Sequence, residues 1–370
     1  MKVGILLPNS TTHPLIPHNF MGGINGAIEL HGKHDFEIFT SSIGFGANAQ
    51  LIVSAAEELL MIKQVDVLIA FADEPAVERL YPTMNALKKQ LIVVNHGAKF
   101  NKRNNREYVA FHTLDTNLSA YLSGKWLKAN HAHSAIVSSF YDGAYSITQN
   151  FVDGFATGED SLGGIFILKH LIQEFDTSAL KEYLKVNKNP FFCALSGNLV
   201  PEFFDQILDL HSDDQGGIIG SSVLIQETMD MAREIEFSIQ GFLNWHPEIK
   251  TLENQSLMSS FQRVNSRPAD AISALGWDTA LILFALKSTA LSGNAAFEGL
   301  ELEAAKGRIS FDLATGRFLS SQFFSSKAAN QPYLFSEPIA PAEVLAAWKN
   351  ITTAHPDGTE VGWVNTYLCS

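Results

Sequence analysis

Ala47–Ile62 and the run that follows it, Val65-Asp66-Val67-Leu68-Ile69-Ala70, decide the class of fold. The first segment places its apolar residues at helical spacing on one face, whereas the second is a short β-type run. The same succession of short strand and amphipathic helix extends almost from end to end. Such alternation predicts parallel sheets covered by helices on both faces.

Nine runs are predicted to be strands, with helix-like segments between them. The predicted strands are Lys2–Leu7, Phe36–Thr40, Val65–Ala70, Leu91–Asn95, Ala135–Ser138, Ile165–Leu168, Phe191–Leu195, Gly217–Ile219 and Ile239–Leu243. The other predicted helices are Thr116–Ala129, Tyr145–Ala156, Thr177–Lys185, Pro201–Leu210 and Asp270–Leu291. After the last of these strands the order changes to a helix-rich stretch over residues 247–302. The sequence shows no internal repeat and no low-complexity linker.

With 370 residues, the chain is too long to form a single ordinary hydrophobic core, and 46% of its residues are hydrophobic. These values predict two Rossmann-like lobes rather than one domain or a disordered chain. We expect residues 1–117 with 246–325 to form lobe one, and residues 118–245 with 326–370 to form lobe two. The lobes would be joined by a hinge of three short crossings.

The formal net charge of −13 argues against a nucleic-acid or anionic-membrane partner. No apolar run approaches the roughly 20 residues that span a bilayer, so no direct membrane insertion is predicted. The first strand begins at Lys2, without a preceding signal segment. Two interpretations stay open: a cytoplasmic chain that starts at Met1, or a periplasmic chain whose export signal was removed.

Several motifs, in the same order along the chain, resemble the type I periplasmic binding proteins. The similarity is to the branched-chain amino-acid (Leu/Ile/Val) family of ABC-transporter substrate-binding proteins. The motifs that carry it are Val3-Gly4-Ile5-Leu6-Leu7-Pro8, Phe20–Ala27, Ala55–Leu60 with Val65–Ile69, Leu91–Asn95, Tyr141–Tyr145 with Phe151–Phe155, Gly276-Trp277-Asp278-Thr279-Ala280, and Gly307–Asp312 with Gly316. This resemblance implies a small-molecule binding protein that closes around its ligand and works with an ABC permease. An amino-acid or amine-like polar metabolite is the expected ligand.

In an open α/β sheet, ligands bind outside the carboxyl ends of the strands. This rule selects the loops at Pro8–Phe20, Phe71–Pro75, Asn95–Lys99, Phe140–Tyr145, Ser196–Leu199 and Gly220–Ser222. The resemblance points to the same loops. The predicted ligand-binding residues are Asp73, Glu74, Asn95, His96, Gly97, Tyr141, Asp142, Tyr145, Asn198, Ser221 and Trp245.

Asp73 and Glu74 stand where amino-acid binders of the family carry small Gly/Ser residues. Two carboxylates would repel a ligand carboxylate, which favours a cationic or neutral ligand. The alternative is that Asp73 caps the helix that starts near Glu74. Asn95 and His96 could equally serve a local turn, Asp142-Gly143 could be a tight turn, and Trp245 could wall the cleft or only pack the hinge.

Enzyme motifs are weak, so no catalytic residue, cofactor or metal is predicted. Gly44-Phe45-Gly46 lacks the third glycine of a dinucleotide fingerprint, and there is no Walker loop, GxSxG or HExxH motif. Cys193 and Cys369 lack the spacing of a metal site, and a disulfide between them stays open. Two alternative functions remain: a cytoplasmic ligand sensor on the same scaffold, and an α/β hydrolase or transferase using Asp73, His96 or Asp142.

Overall fold

The computed structural model describes residues 1–32, 36–99, 106–139, 141–142, 146–155, 161–208, 210, 216–231 and 235–354. These residues form two compact units. Unit 1 comprises Met1–Leu114 and Trp245–Ser321, and unit 2 comprises Asp115–Asn244 and the described residues from Gln322 onward. Within the described residues, the chain passes from one unit to the other after Leu114, Asn244 and Ser321.

The strands and helices alternate through most of the chain. The strands are β1 (Lys2–Leu7), β2 (Glu37–Ser42), β3 (Val67–Phe71), β4 (Gln90–Asn95), β5 (Val109–Thr113), β6 (His133–Ser139), β7 (Ser161–Leu168), β8 (Phe191–Ala194), β9 (Ile218–Gly220), β10 (Ile239–Leu243), β11 (Glu301–Ala304), β12 (Gly307–Asp312), β13 (Arg317–Ser320), β14 (Phe323–Lys327) and β15 (Leu334–Phe335). The helices are α1 (Ile16–Leu30), α2 (Ala49–Glu57), α3 (Glu74–Val77), α4 (Tyr81–Leu87), α5 (Thr116–Asn130), α6 (Ser146–Phe155), α7 (Ser178–Val186), α8 (Leu199–Gln206), α9 (Ser222–Asp230), α10 (Leu252–Asn265), α11 (Ala271–Lys287) and α12 (Pro341–Ala354).

Both units contain a sheet with the same central topology. In unit 1 the strand order is β11-β12-β13-β5-β4-β3-β1-β2, and in unit 2 it is β15-β14-β10-β9-β8-β6-β7. The first five strands of each sheet are parallel and lie in the order second, first, third, fourth, fifth. The predicted two-lobed α/β fold is confirmed, and it contains a structural repeat that the sequence did not reveal.

The sheets differ from the prediction at one side, where each is mixed rather than wholly parallel. β11 and β12 extend the first sheet as antiparallel strands, and β14 and β15 do the same in the second. The sequence prediction contained neither β5 nor β11–β15. β11–β14 contain polar side chains and β15 has only two residues, so these strands lack the continuous apolar run of a central parallel strand. β5 is a buried parallel strand, but its apolar run is only three residues long.

One pair of helices in each unit crosses in direct backbone contact. A Cβ atom on Gly23 of α1 would lie 2.0 Å from the Ser273 carbonyl oxygen of α11. In unit 2, a Cβ atom on Gly154 of α6 would lie 2.2 Å from the Tyr121 carbonyl oxygen of α5. Since real Cβ atoms do not come so close, only glycine permits these crossings.

We predict that Gly154→Ala destabilises unit 2 by about 3 kcal/mol, at the upper end for overpacking, despite alanine's better helix propensity. Gly32→Ala is the control, because Gly32 has open space around it and a φ of 60°. It should cost only about 1 kcal/mol, for the left-handed backbone. Urea unfolding measures both changes. A smaller loss for Gly154→Ala than for the control would contradict the close crossing.

Candidate functional site

The site follows from the order of the parallel strands. β1 lies between β2 and β3, so the chain moves to one side of β1 to form β2 and then crosses to the other side to form β3. β6 lies in the same way between β7 and β8. Ligands of open α/β sheets bind at such a switch point, outside the carboxyl ends of the strands. In unit 1 this selects the loops after β1 and β3, and in unit 2 those after β6 and β8.

Asp73 lies in the loop after β3 and is almost completely buried, with 1% of its surface exposed. It occupies the N-cap position of α3, but its carboxylate makes no capping hydrogen bond. The Oδ2 atom has no hydrogen-bond partner among the described residues. Burial raises the pKa of Asp73 well above its ordinary value, Lys99 opposes this rise, and Glu74 adds to it. The carboxyl group therefore favours its neutral form.

An aromatic stack lies at the carboxyl ends of β3 and β4. The rings of Phe71 and His96 are stacked, with their centroids 6.1 Å apart. Phe20 packs on the other side of the cluster, with its centroid 5.2 Å from that of Phe71. Burial, and secondarily His13, lowers the pKa of His96 to about 3, so its imidazole is neutral at physiological pH. All three side chains are almost completely buried, and Phe71 was not among the predicted site residues.

The loop after β1 contains polar groups. The sequence analysis selected this loop but named none of its residues as ligand-binding. The His13 backbone N–H donates to Ser10 Oγ at 2.9 Å, and the hydroxyls of Ser10 and Thr12 are 3.2 Å apart. His13 also lies close enough to His96 to affect its pKa. The rule that selects strand-end loops would have found Ser10 and His13 had it been applied to each residue.

Asn95 and Gly97 shape the loop after β4. The Asn95 amide donates to the Ala72 carbonyl oxygen at 3.0 Å and accepts from the Gly97 N–H at 2.7 Å. Gly97 has a φ of 71°, which favours glycine. Asn95 thus ties the loops after β3 and β4 together, which is the local role left open by the sequence.

Glu74 is engaged inside unit 1. Its carboxylate forms an ion pair with Arg317, and both side chains are almost completely buried. The Arg317 guanidinium also lies over the Phe111 ring, 4.7 Å from its centroid. Arg317 offsets the charge of Glu74, which weakens the contribution of Glu74 to the predicted repulsion of an anionic ligand. Sequence reasoning missed Arg317, which is 243 positions from Glu74.

We predict that Glu74→Ala lowers the free energy of unfolding by about 3–5 kcal/mol, because it removes the carboxylate that pairs with the buried Arg317 guanidinium. The double variant Glu74→Met/Arg317→Met should recover much of this loss. The matched control is the exposed pair Arg308–Glu301, in which Glu301→Ala should cost at most about 1 kcal/mol. Chemical denaturation measures all three. Equal losses for the buried and exposed pairs would rule out a structural role for Glu74.

In unit 2, Asp142 joins the loops after β6 and β8. Its Oδ2 accepts from Ser139 Oγ at 2.7 Å, and its Oδ1 accepts from Ser196 Oγ at 2.8 Å. The side chain is buried, which raises its pKa to about 7, although both hydroxyls act in the opposite direction. Asp142 therefore titrates near neutrality and is already hydrogen-bonded at both oxygens.

The other predicted residues of unit 2 lie around the same strand ends. Tyr141 is buried, Asn198 is exposed at the start of α8, and Ser221 Oγ caps α9 by accepting from the Leu224 N–H at 3.2 Å. Tyr145 lies outside the described residues. Trp245 is the first residue of the second segment of unit 1. Its indole N–H donates to Asn254 Oδ1 at 2.9 Å.

We predict that the stability contributed by Asp142 falls as pH rises from about 4 to about 7. In this window the folded state holds the proton and the unfolded state has released it, so the slope is at most about −1.4 kcal/mol per pH unit. Asp142→Asn mimics the protonated form and should gain stability relative to wild type across this range. Asp205→Asn removes a carboxylate at an exposed position and is the control. Denaturation at several pH values distinguishes these outcomes; parallel curves for Asp142→Asn and wild type would contradict the prediction.

Two general features of the described residues bear on the kind of site. No group of three or more His, Cys, Asp or Glu side chains in this part of the chain could hold a metal ion. None of the described helices is both long and apolar enough to cross a membrane.

Cys193 is buried, whereas Cys369, its possible disulfide partner, lies outside the described residues.

Comparison with known proteins identifies the fold. A solute-binding protein of an ABC transporter from Rhodopseudomonas palustris BisB5, in complex with 3,4-dihydroxybenzoic acid, matches with a TM-score of 0.75 and 18% identity, over 93% of this chain and 99% of that one. The chain has the type I periplasmic binding protein fold. Within this fold, another protein matches with a TM-score of 0.67 and 13% identity, over 91% of this chain and 99% of that one. It is the branched-chain amino acid transporter substrate-binding protein from Streptococcus pneumoniae, in complex with isoleucine.

A third protein with this fold comes from R. palustris HaA2 and was solved in complex with p-hydroxybenzoic acid. It matches with a TM-score of 0.75 and 17% identity, over 94% of this chain and 99% of that one. No protein-family model and no curated protein sequence matches the chain. At these identities the comparisons establish the fold, and the ligand must be argued from the residues.

Proposed function

We propose that this protein is the substrate-binding component of an ABC transporter, and that it binds a small organic acid with an aromatic or apolar body. It binds without making or breaking a bond, through the hinged closure that the sequence predicts. The observation that carries the proposal is the buried Asp73 carboxyl group, whose Oδ2 has no partner among the described residues. It follows β3, the strand that ends at Phe71 of the Phe71–His96 stack.

The charges around Asp73 support an acidic ligand. Arg317 neutralises Glu74, burial favours the neutral form of Asp73, and His96 is uncharged. A protonated Asp73 can donate a hydrogen bond to a ligand carboxylate. The expected repulsion between this loop and an anion is therefore removed.

The stacked rings support a flat or apolar ligand body. Aromatic side chains offer large apolar surfaces and favour offset stacking with other rings. Benzoic acid derivatives are the ligands of two of the structurally similar proteins. A monocyclic aromatic acid has a carboxylate that can accept a hydrogen bond from Asp73 and a ring that can stack on aromatic side chains, so this is the first ligand class to test.

We expect 4-hydroxybenzoate or benzoate to stabilise the protein in a thermal-shift assay, by about 2.7 kcal/mol at 100 times the dissociation constant. Titration calorimetry of wild type should show affinity falling as pH rises through the raised pKa of Asp73, because the ionised carboxylate repels the ligand. Asp73→Asn keeps a donor and should bind without this fall. Asp205→Asn is the exposed control and should behave like wild type.

Other outcomes would count against the proposal. If no carboxylic acid binds, the organic-acid class is wrong. If affinity rises with pH and Asp73→Asn loses it, the ligand is cationic, and Asp73 acts as its counter-ion. Release of product from any bound ligand would instead support the enzyme alternative, in which Asp73, His96 or Asp142 takes part in catalysis.

An amino acid or amine is the second candidate. The same Asp73 Oδ2 supports it, because an ammonium group could donate to this atom and draw the carboxyl group back to its ionised form. Isoleucine is the ligand of one structurally similar protein. A panel that includes branched-chain amino acids and polyamines beside the benzoates separates the two classes.

A permease partner and a periplasmic location belong to the same proposal. The structurally similar proteins are components of ABC transporters. A cytoplasmic sensor on the same scaffold is the alternative. Fractionation of cells that produce the full reading frame would decide between them, since a sensor would stay in the cytoplasm.

A further inference from the structure

Lys306 is completely buried in unit 1, in the turn between β11 and β12. Its ammonium group donates to the Thr113 carbonyl oxygen at 2.7 Å. A buried ammonium group costs free energy unless it is paired and hydrogen-bonded, and lysine is rarely buried so completely. Thr113 is the last residue of β5, and the chain leaves unit 1 after Leu114. The ammonium group therefore holds the strand end at which the first crossing begins.

Asp278 of α11 fixes the turn that carries Lys306. Its Oδ1 accepts from the Ala305 N–H at 2.7 Å, and its Oδ2 accepts from the Lys306 N–H at 3.2 Å. Burial raises the pKa of Asp278 to about 7, and the Lys306 ammonium group acts in the opposite direction. The carboxyl group thus ties the turn to α11 and lies close enough to the ammonium group to offset its charge.

The start of the crossing is also bonded to a loop of the candidate site. The Leu114 N–H donates to the Asn95 carbonyl oxygen at 3.0 Å. The Asn95 amide in turn holds the Ala72 carbonyl oxygen and the Gly97 N–H. A continuous path of hydrogen bonds and short chain segments therefore runs from Lys306 to the loops after β3 and β4.

The residue after Leu114 has a costly backbone conformation. Asp115 has a φ of 51°, in the left-handed region that disfavours most residues other than glycine. Such a conformation persists only where the surrounding structure fixes it. The hydrogen bonds of Thr113 and Leu114 fix the chain immediately before this residue.

We propose that Lys306 is a positioning residue for ligand binding. By holding the end of β5 it fixes Asn95, and Asn95 fixes the loops after β3 and β4. Lys306 acts through these groups and does not itself contact the ligand. This role rests on the proposed function, because it concerns the same site, but part of it can be tested without a ligand.

Hydrogen exchange measured by mass spectrometry tests the path in the absence of ligand. Lys306→Met removes the ammonium group and keeps an unbranched side chain. Peptides that cover residues 95–99 and 111–117 should exchange roughly tenfold faster than in wild type, because the partners of the Gly97 and Leu114 amides are no longer held in place. Peptides from β8, in unit 2, should exchange as in wild type.

Titration with 4-hydroxybenzoate tests the consequence for binding. The affinity of Lys306→Met should be roughly tenfold lower than that of wild type, as expected for a residue that acts through others. In Asn95→Ala, which removes the link to the loops, the further change Lys306→Met should cost less affinity than it does in wild type. A residue that acted by another route would show additive losses.

Lys327→Met is the matched control. Lys327 is also buried, and its ammonium group donates to a backbone carbonyl oxygen, that of Ile235, at 3.4 Å. It pairs with Ile239, the first residue of β10, and so lies at the opposite edge of its sheet from the strand-end loops. Lys327→Met should keep an affinity for 4-hydroxybenzoate within about twofold of wild type, and residues 95–99 should exchange at the wild-type rate.

Three results would overturn the proposal: unchanged exchange over residues 95–99 in Lys306→Met, faster exchange with unchanged affinity, or equal effects of Lys306→Met and Lys327→Met. If wild type binds no carboxylic acid, the proposed function fails, and exchange over residues 95–99 alone decides whether Lys306 holds the site loop. If Lys306→Met does not fold, Asp278→Asn replaces it, because this variant loosens the turn at Ala305 and leaves the ammonium group in place. It should show the same changes, smaller in size.

Discussion

Direct backbone contact between two helices is the constraint on which each unit depends. Gly23 on α1 and Gly154 on α6 lie so close to a carbonyl of the facing helix that no side chain fits between them. This close approach positions the helices that cover one face of each sheet, and α1 and α6 each begin after a strand-end loop of the candidate site. Several motifs that resemble the binding-protein family, including Phe20–Ala27 and Phe151–Phe155, are therefore packing elements.

Burial governs the chemistry of the strand-end loops. Asp73 and Asp142 lie in strand-end loops of the two sheets, and burial raises the pKa of both. Their hydrogen bonding differs, however. Asp142 accepts from two serine hydroxyls, whereas Asp73 Oδ2 has no partner among the described residues. Asp142 is thus satisfied within unit 2, and Asp73 is the group that a ligand could satisfy.

The ion pair between Glu74 and Arg317 changes the expected ligand. Read from sequence, Asp73-Glu74 is a doubly acidic loop that repels anions. In the folded unit, Arg317 pairs with Glu74, and burial raises the pKa of Asp73. A loop that carries two acidic residues can therefore accept an organic acid, which is why the proposed ligand class differs from the amine class favoured by the sequence.

The sequence by itself determined the α/β class, most of the helices, nine of the strands and the loops at the strand ends. It could do so because hydrophobic periodicity and turn residues act over a few neighbouring positions. The shared strand order, the added antiparallel strands and the partners of Glu74 and Asp142 required the tertiary structure. These features join residues far apart in the chain, and Arg317 has no local pattern that connects it with Glu74, 243 positions away. Burial likewise exists only once the chain is folded, so the lowered pKa of His96 and the raised pKa of Asp73 could not be inferred from residue type.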